Sequence, residues 1–172
     1  MGGRDITVRP TARGWRASFD DRSFPCAIGR GGVTAAKREG DGATPLGRFA
    51  LRCLLYRADR GLVPRCGLET TAILPDLGWC DWSGDAAYNR PVTLPWASSA
   101  ERLWRDDDLY DYLVPLGYND RVPRPGAGSA IFLHVARPGL TATEGCVALR
   151  RSDLLALLPA LGQDCCLTVR AD

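Results

Sequence analysis

A mainly β domain carrying one or two short helices is the fold class this sequence predicts, and three observations carry it. Nineteen glycines and twelve prolines are spread through the 172 residues, so apolar segments are cut short and long helices are interrupted. The segments between them are brief and rich in strand-forming residues, bounded by turn signals. Only one stretch, after residue 151, opens with helix-start chemistry. A chain of this length supports one well-buried core and is short for two, so residues 1–172 are expected to form a single domain.

Taken in order, Asp5 to Arg9, Trp15 to Phe19 and Ser23 to Ile28 read as strands of an opening meander, with turns at Ala12-Arg13-Gly14 and Asp20-Asp21-Arg22. A polar, glycine-rich stretch from Gly29 to Gly47 reads as a loop or hairpin arm. It lacks the Gly-Lys-Ser/Thr ending of a phosphate loop. Arg48 to Tyr56 mixes apolar and polar residues like a longer strand. Residues 57–100, with Pro64, Pro75, Pro91 and Pro95 among Trp79, Trp82, Tyr88 and Trp96, form an elaborate loop region whose aromatics suit an irregular core or a glycan- or peptide-binding face. Ala100 to Leu109 is expected to be a short helix, Tyr110 to Tyr118 a strand, and Ala130 to Val135 a buried strand that delivers one polar residue, His134. Ser152 is placed to cap a helix through Asp153 and the following leucines, Pro159 and Gly162 stop it, and Leu167 to Arg170 closes the domain as a strand.

A formal charge of +2, with acids and bases interspersed, implies no extended electropositive face, and nucleic acid is not an expected partner. No run approaches the roughly 20 apolar residues that span a bilayer, and the N-terminal MGGRDITVRP has no apolar h-region, which leaves the export route open. The seven cysteines (26, 53, 66, 80, 146, 165 and 166) are an odd number, so at least one stays unpaired, and Cys146 is the candidate. There is no CxxC, and the single histidine is not in a ligand-spaced pair, so no metal site is expected. The remaining cysteines suit either disulfides or small buried apolar positions, according to compartment.

The chemistry concentrates at His134 and Cys146. On residue types alone, a core histidine and a buried thiol would account for both. Gly145 changes the balance, since a glycine before a cysteine lets the backbone come close to a substrate and aim the N–H groups of Gly145 and Cys146 at an oxyanion. A histidine nearby in space takes the thiol proton and the thiolate attacks a carbonyl. The turn-rich segment Arg137 to Thr143 allows a strand-loop-strand return that brings the cysteine beside the histidine.

Ile131-Phe132-Leu133-His134 followed by Thr143-Glu144-Gly145-Cys146-Val147 resembles the signature of YkuD-type L,D-transpeptidases, and Thr44-Pro45-Leu46-Gly47-Arg48-Phe49 is similar to that family's Thr-Pro-x-Gly-x-Phe hairpin. With Gly78-Trp79-Cys80-Asp81, Tyr88-Asn89-Arg90-Pro91 and Leu116-Gly117-Tyr118-Asn119-Asp120, which resemble a short alpha- and betaproteobacterial branch, the likeness covers about residues 27–169. It departs from the family where Glu144 stands in place of a second histidine and Ala148 in place of an Arg or Asn.

The resemblance implies a β-sandwich-like catalytic domain that needs no cofactor, acts on peptidoglycan stem peptides as donor and acceptor, works as a monomer, and resides in the periplasm or cell envelope. Cys146 would be the nucleophile, His134 its proton acceptor, and Gly145 and Cys146 the oxyanion donors. Glu144, Arg137, Tyr88, Asn89, Tyr118 and Asn119 are the candidate substrate-binding residues. The product would be a link between two diaminopimelate residues (3-3) or between L-Ala and diaminopimelate (1-3). Carboxypeptidase or endopeptidase action on stem peptides and a non-catalytic wall-binding domain are the alternatives. A papain-like NlpC/P60 peptidase fits less well, because there the cysteine precedes its histidine.

Overall fold

The computed structural model describes residues 4–172. Strands β1 (Asp5–Thr11), β2 (Gly14–Phe19) and β3 (Arg22–Ala27) form the opening antiparallel meander. Their alternation sends Ile6, Val8, Ala17 and Phe19 into the core while the intervening polar residues face out. The glycine-rich stretch is a loop that holds two short parallel strands, β4 (Val33–Thr34) and β5 (Thr44–Pro45).

Residues 47–56 form two strands, β6 (Gly47–Ala50) and β7 (Leu54–Tyr56), where the sequence reads as one. The break at residues 51–53 is where the chain changes partners, with Leu51 bridging Leu116. After β8 (Thr70–Ala72) come β9 (Leu77–Cys80), β10 (Pro91–Thr93) and β11 (Ala100–Arg102), a separate three-stranded sheet in the order β10-β9-β11. Strands β12 (Tyr112–Pro115), β13 (Phe132–Val135) and β14 (Val147–Leu149), helix α1 (Arg151–Leu157) and β15 (Cys166–Val169) complete the chain.

The main sheet has ten strands in the order β6-β15-β1-β2-β3-β14-β13-β12-β7-β8. Because β6 and β7 are consecutive in the chain yet β6 is first and β7 next to last in this order, with Leu51 bridging Leu116, the sheet curls round on itself. Ile6, Phe19, Leu133, Val147, Leu149 and Leu167 fill the space it encloses, and Leu154 and Leu157 of α1 contribute to the same core. The described residues are therefore mainly β, with one α-helix and two 3-10 turns, Pro138–Leu140 and Leu158–Ala160. No helix among the described residues is long and apolar enough to cross a membrane.

Two further expectations need correction. Residues 100–109 contain no helix: Ala100, Glu101 and Arg102 pair antiparallel with Cys80, Trp79 and Gly78, and the rest is turns. Pairing along β9 and burial of Leu103 outweigh the weak helical preference of so short a segment. Ser152 lies inside α1 rather than at its cap, which is Arg150 and makes no side-chain cap bond. Asp153 does sit in the first turn, where the helix dipole favours a carboxylate.

Strands β13 and β14 are buried on both faces. One face carries Leu133, Val135, Val147 and Leu149 into the main core, while the other carries Phe132 and Cys146 into a second apolar cluster with Tyr110, Leu103 and Leu113. The segment that covers this second face is the proline- and aromatic-rich stretch, whose Trp79 meets Phe132 edge-on at 5.1 Å between ring centroids.

Candidate active site

Strands β13 and β14 are parallel neighbours in the register Leu133 to Val147 and His134 to Ala148. Extended back by one residue, this register sets Cys146 beside Phe132. Side chains alternate along a strand, so Phe132, His134 and Cys146 share a face. Cys146 and His134 both line a cavity of about 440 Å³, together with Tyr110, Glu101, Arg137 and Glu144.

The Cys146 thiol donates to the Ala130 carbonyl at 3.3 Å and accepts from the Phe132 N–H at 3.3 Å. Burial pushes its pKa up to about 12, helped by the negative field of Glu101. His134 Nδ1 lies 2.8 Å from the Val135 carbonyl, which can only accept, so Nδ1 carries the proton and Nε2 the lone pair. Burial pulls the imidazole pKa down to about 4, against the carbonyls of Val135 and Leu109, which favour the charged ring. The Tyr110 ring stands edge-on to the imidazole at 5.2 Å and hydrogen-bonds Glu101 through its hydroxyl. At neutral pH the resting pair is thus a thiol and a neutral imidazole, with the thiol proton held by a main-chain carbonyl.

Thr143 fixes the cysteine loop. Its hydroxyl donates to the Cys146 carbonyl at 2.6 Å and accepts from the Gly145 N–H at 3.1 Å. Of the two amides expected to face an oxyanion, that of Gly145 is therefore engaged by Thr143, which leaves the Cys146 N–H as the one not tied in this way. Gly145 has φ 138°, and a Cβ there would stand 2.9 Å from the Ala43 carbonyl oxygen. Gly145→Ala is expected to lower the free energy of unfolding by about 1–3 kcal/mol, the range for a residue forced into such a conformation. It should also displace the thiol, and urea unfolding together with the alkylation rate of Cys146 checks both effects.

The remaining candidates divide into two groups. Glu144 and Arg137 line the cavity. Glu144 is exposed and ion-paired with Arg30 at 2.9 Å, which holds its carboxyl below the usual range. Tyr88, Asn89, Tyr118 and Asn119 do not line it, because their polar atoms are spent on loops. Asn89 accepts from Trp79 Nε1 and the Ala130 N–H and donates to the carbonyls of Tyr118 and Asn119. Asn119 holds Arg124 and Gly128, Tyr118 reaches the Ala127 carbonyl, and Tyr88 binds Glu39 and accepts from the Gly128 N–H. Both asparagines adopt positive φ, which their side chains tolerate. Through Asn89 this network fixes Ala130, whose carbonyl accepts the hydrogen bond of the thiol. Ala130, Phe132, Tyr110 and Glu101 are site residues that sequence reasoning did not single out.

All seven cysteines are free thiols in this structure. No curated protein matches the chain. Solved structures similar to it include an L,D-transpeptidase from Mycobacterium tuberculosis H37Rv, at 13% identity and TM-score 0.46, over 98% of this chain and 57% of that one. An L,D-transpeptidase from Mycobacterium smegmatis aligns at 12% identity and TM-score 0.46, covering 98% and 59%. L,D-transpeptidase 1 of M. tuberculosis gives 11%, 0.41, 98% and 62%. The chain therefore spans less than two thirds of the length of these proteins. The model of the YkuD family, described as the L,D-transpeptidase catalytic domain, matches residues 4–166, nearly the whole length, and the chain accordingly belongs to that family.

Proposed function

We propose that this domain is a peptidoglycan L,D-transpeptidase in which Cys146 is the nucleophile and His134 its proton acceptor. The observation that carries the reading is the convergence of the Cys146 thiol and the lone-pair imidazole of His134 on one cavity, at the edge of a parallel strand pair that fixes both. Substrate entry displaces the thiol proton from the Ala130 carbonyl toward the imidazole. The sulfur attacks a stem-peptide carbonyl, with the Cys146 N–H placed to receive the developing oxyanion, and a thioester forms as the amine leaving group departs with a proton. An amine of a second stem then forms the new C–N bond as the C–S bond breaks, while water in its place gives carboxypeptidase action. The protein would act on stem peptides in the periplasm or cell envelope, as a monomer.

The test is mass spectrometry of muropeptides after incubating purified sacculi, or disaccharide-tetrapeptide, with the protein. A new dimer supports transpeptidation, and its fragmentation assigns a 3-3 or 1-3 link. Shortened monomers alone would replace the proposal with a carboxypeptidase, and unchanged muropeptides would favour a wall-binding domain.

A further inference from the structure

The charged groups around the Cys146 cavity are mostly neutralised by neighbours. Lys37 is paired with Asp41, Arg105 with Asp107, and Glu144 with Arg30. Glu39 takes hydrogen bonds from Tyr88 and Ser129. Arg137 lines the cavity without an ion pair among the described residues, and two acids also stand apart. Asp81 Oδ1 is buried without a hydrogen-bond partner among the described residues. Glu101 accepts from Tyr110 and makes no ion pair among them.

Strand register places these two acids together. Glu101 on β11 lies opposite Trp79 on β9, and Asp81 follows Trp79 by two residues, so the three side chains share a face and Asp81 and Glu101 are diagonal neighbours. That face is the one whose Trp79 meets Phe132, beside Cys146 and His134. Both residues line the cavity that holds the thiol. Burial raises the Glu101 pKa against the Tyr110 hydroxyl and Arg105, which lower it, with a small further rise from Asp81, and the net rise makes it a stronger base than an ordinary carboxylate. Two neighbouring acids on one wall of a nucleophile's cavity, one with an orphaned oxygen and the other balanced by the Tyr110 hydroxyl and the field of Arg105, favour a positive group that enters beside them.

We propose that Asp81 and Glu101 form the acceptor subsite, which receives a primary ammonium group and passes it to the acyl-enzyme as an amine. The proposal rests on the acyl-transfer reading above and adds which residues select the acceptor. In the transfer step the ammonium gives one proton to Glu101, and the free amine nitrogen attacks the Cys146 thioester carbonyl. The C–N bond forms and the C–S bond breaks, the second amine proton returns with the sulfur to restore the thiol, and Glu101 then releases its proton to water. A neutral nucleophile such as hydroxylamine needs neither the ammonium contact nor the proton transfer to Glu101.

Glu101→Gln and Asp81→Asn keep side-chain shape, and the glutamine oxygen still accepts from Tyr110. In the first measurement, meso-diaminopimelate is titrated into the wild type and each variant by calorimetry, with pimelate, which lacks the amines, as control. Wild type is expected to bind the diamino acid at least tenfold more tightly than either variant does and to discriminate against pimelate. Equal binding by wild type and variants, or no binding by wild type, overturns the subsite whether or not Cys146 is ever acylated. In the second, the acyl-enzyme is partitioned between meso-diaminopimelate and hydroxylamine. The ratio of aminolysis to hydroxylaminolysis is expected to fall at least tenfold in each variant, and an unchanged ratio overturns the role in transfer. Failure of the wild type to form any acyl-enzyme would count against the proposed function, and the calorimetry would still decide the subsite.

Discussion

Cys146→Ala is expected to abolish formation of cross-linked muropeptides, by about 10⁴-fold or more, the scale at which loss of a covalent nucleophile is felt. The same variant should fold: the thiol is small, and alanine leaves only the Ala130 carbonyl and the Phe132 N–H without their sulfur partner. Far-UV circular dichroism of the variant should therefore match the wild type, while intact-protein mass spectrometry after carbapenem treatment is expected to show an adduct on wild type and none on the variant. Retained cross-linking in the variant would end the proposed mechanism. A second expectation follows from the resting state. With its pKa pushed up to about 12 by burial, the thiol is only about 10⁻⁵ ionised at pH 7, so iodoacetamide should alkylate it slowly and ever faster above pH 10. Fast alkylation at neutral pH would mean that the thiolate exists before substrate arrives.

Much of the main sheet was legible in the sequence because its strands carry their own signal. The alternation in Asp5–Thr11 and Gly14–Phe19 marks an inner and an outer face, and the turns between them have the residues such turns demand. His134 at the end of a compact apolar run and Gly145 before Cys146 were likewise readable, since a polar residue closing a buried strand and a glycine in a close approach leave distinct traces. The signal failed where partners lie far away in the chain. Residues 100–102 are a strand because β9 offers an edge to pair with, and nothing within the segment announces that. The single strand expected from Arg48 to Tyr56 splits because Leu51 must reach across to Leu116 as the sheet curls shut.

The site shows the same division. Tyr88, Asn89, Tyr118 and Asn119 stood out as aromatic and amide residues in turns, a pattern that serves equally for gripping a peptide and for stapling loops. In the folded chain their donors and acceptors go mostly to main-chain groups around Ala130, and otherwise to the side chains of Glu39 and Trp79. Ala130 itself could not be found from sequence, because its part in the site is played by a carbonyl and its positive φ is imposed by that staple. Glu101 was hidden inside a segment read as a helix, where its face could not be assigned. Once β11 is recognised as a strand, alternation alone puts Glu101 on the cavity side with Asp81.

His134→Gln is expected to produce the second large loss, about 10²–10⁴-fold in acylation of Cys146, the usual worth of a positioned proton acceptor. It should also leave a thermodynamic signature that separates a buried neutral imidazole from a charged one. The pKa of His134 falls from 6.5 in the unfolded chain to about 4 in the folded protein. Between those values the unfolded state binds the extra proton, so stability rises with pH across the window. The contribution is fully present above pH 6.5 and is lost as pH falls through 4, amounting to about 3 kcal/mol when complete. Urea unfolding at pH 7 and at pH 4.5 should show this loss in the wild type, and the difference between the two pH values should shrink in the glutamine variant. Were the imidazole instead a stable cation paired with a Cys146 thiolate, its folded pKa would lie above 6.5 and the wild type would gain rather than lose stability from His134 on acidification. The sign of that one difference therefore decides whether the resting site holds a neutral pair that substrate must activate or an ion pair ready to attack.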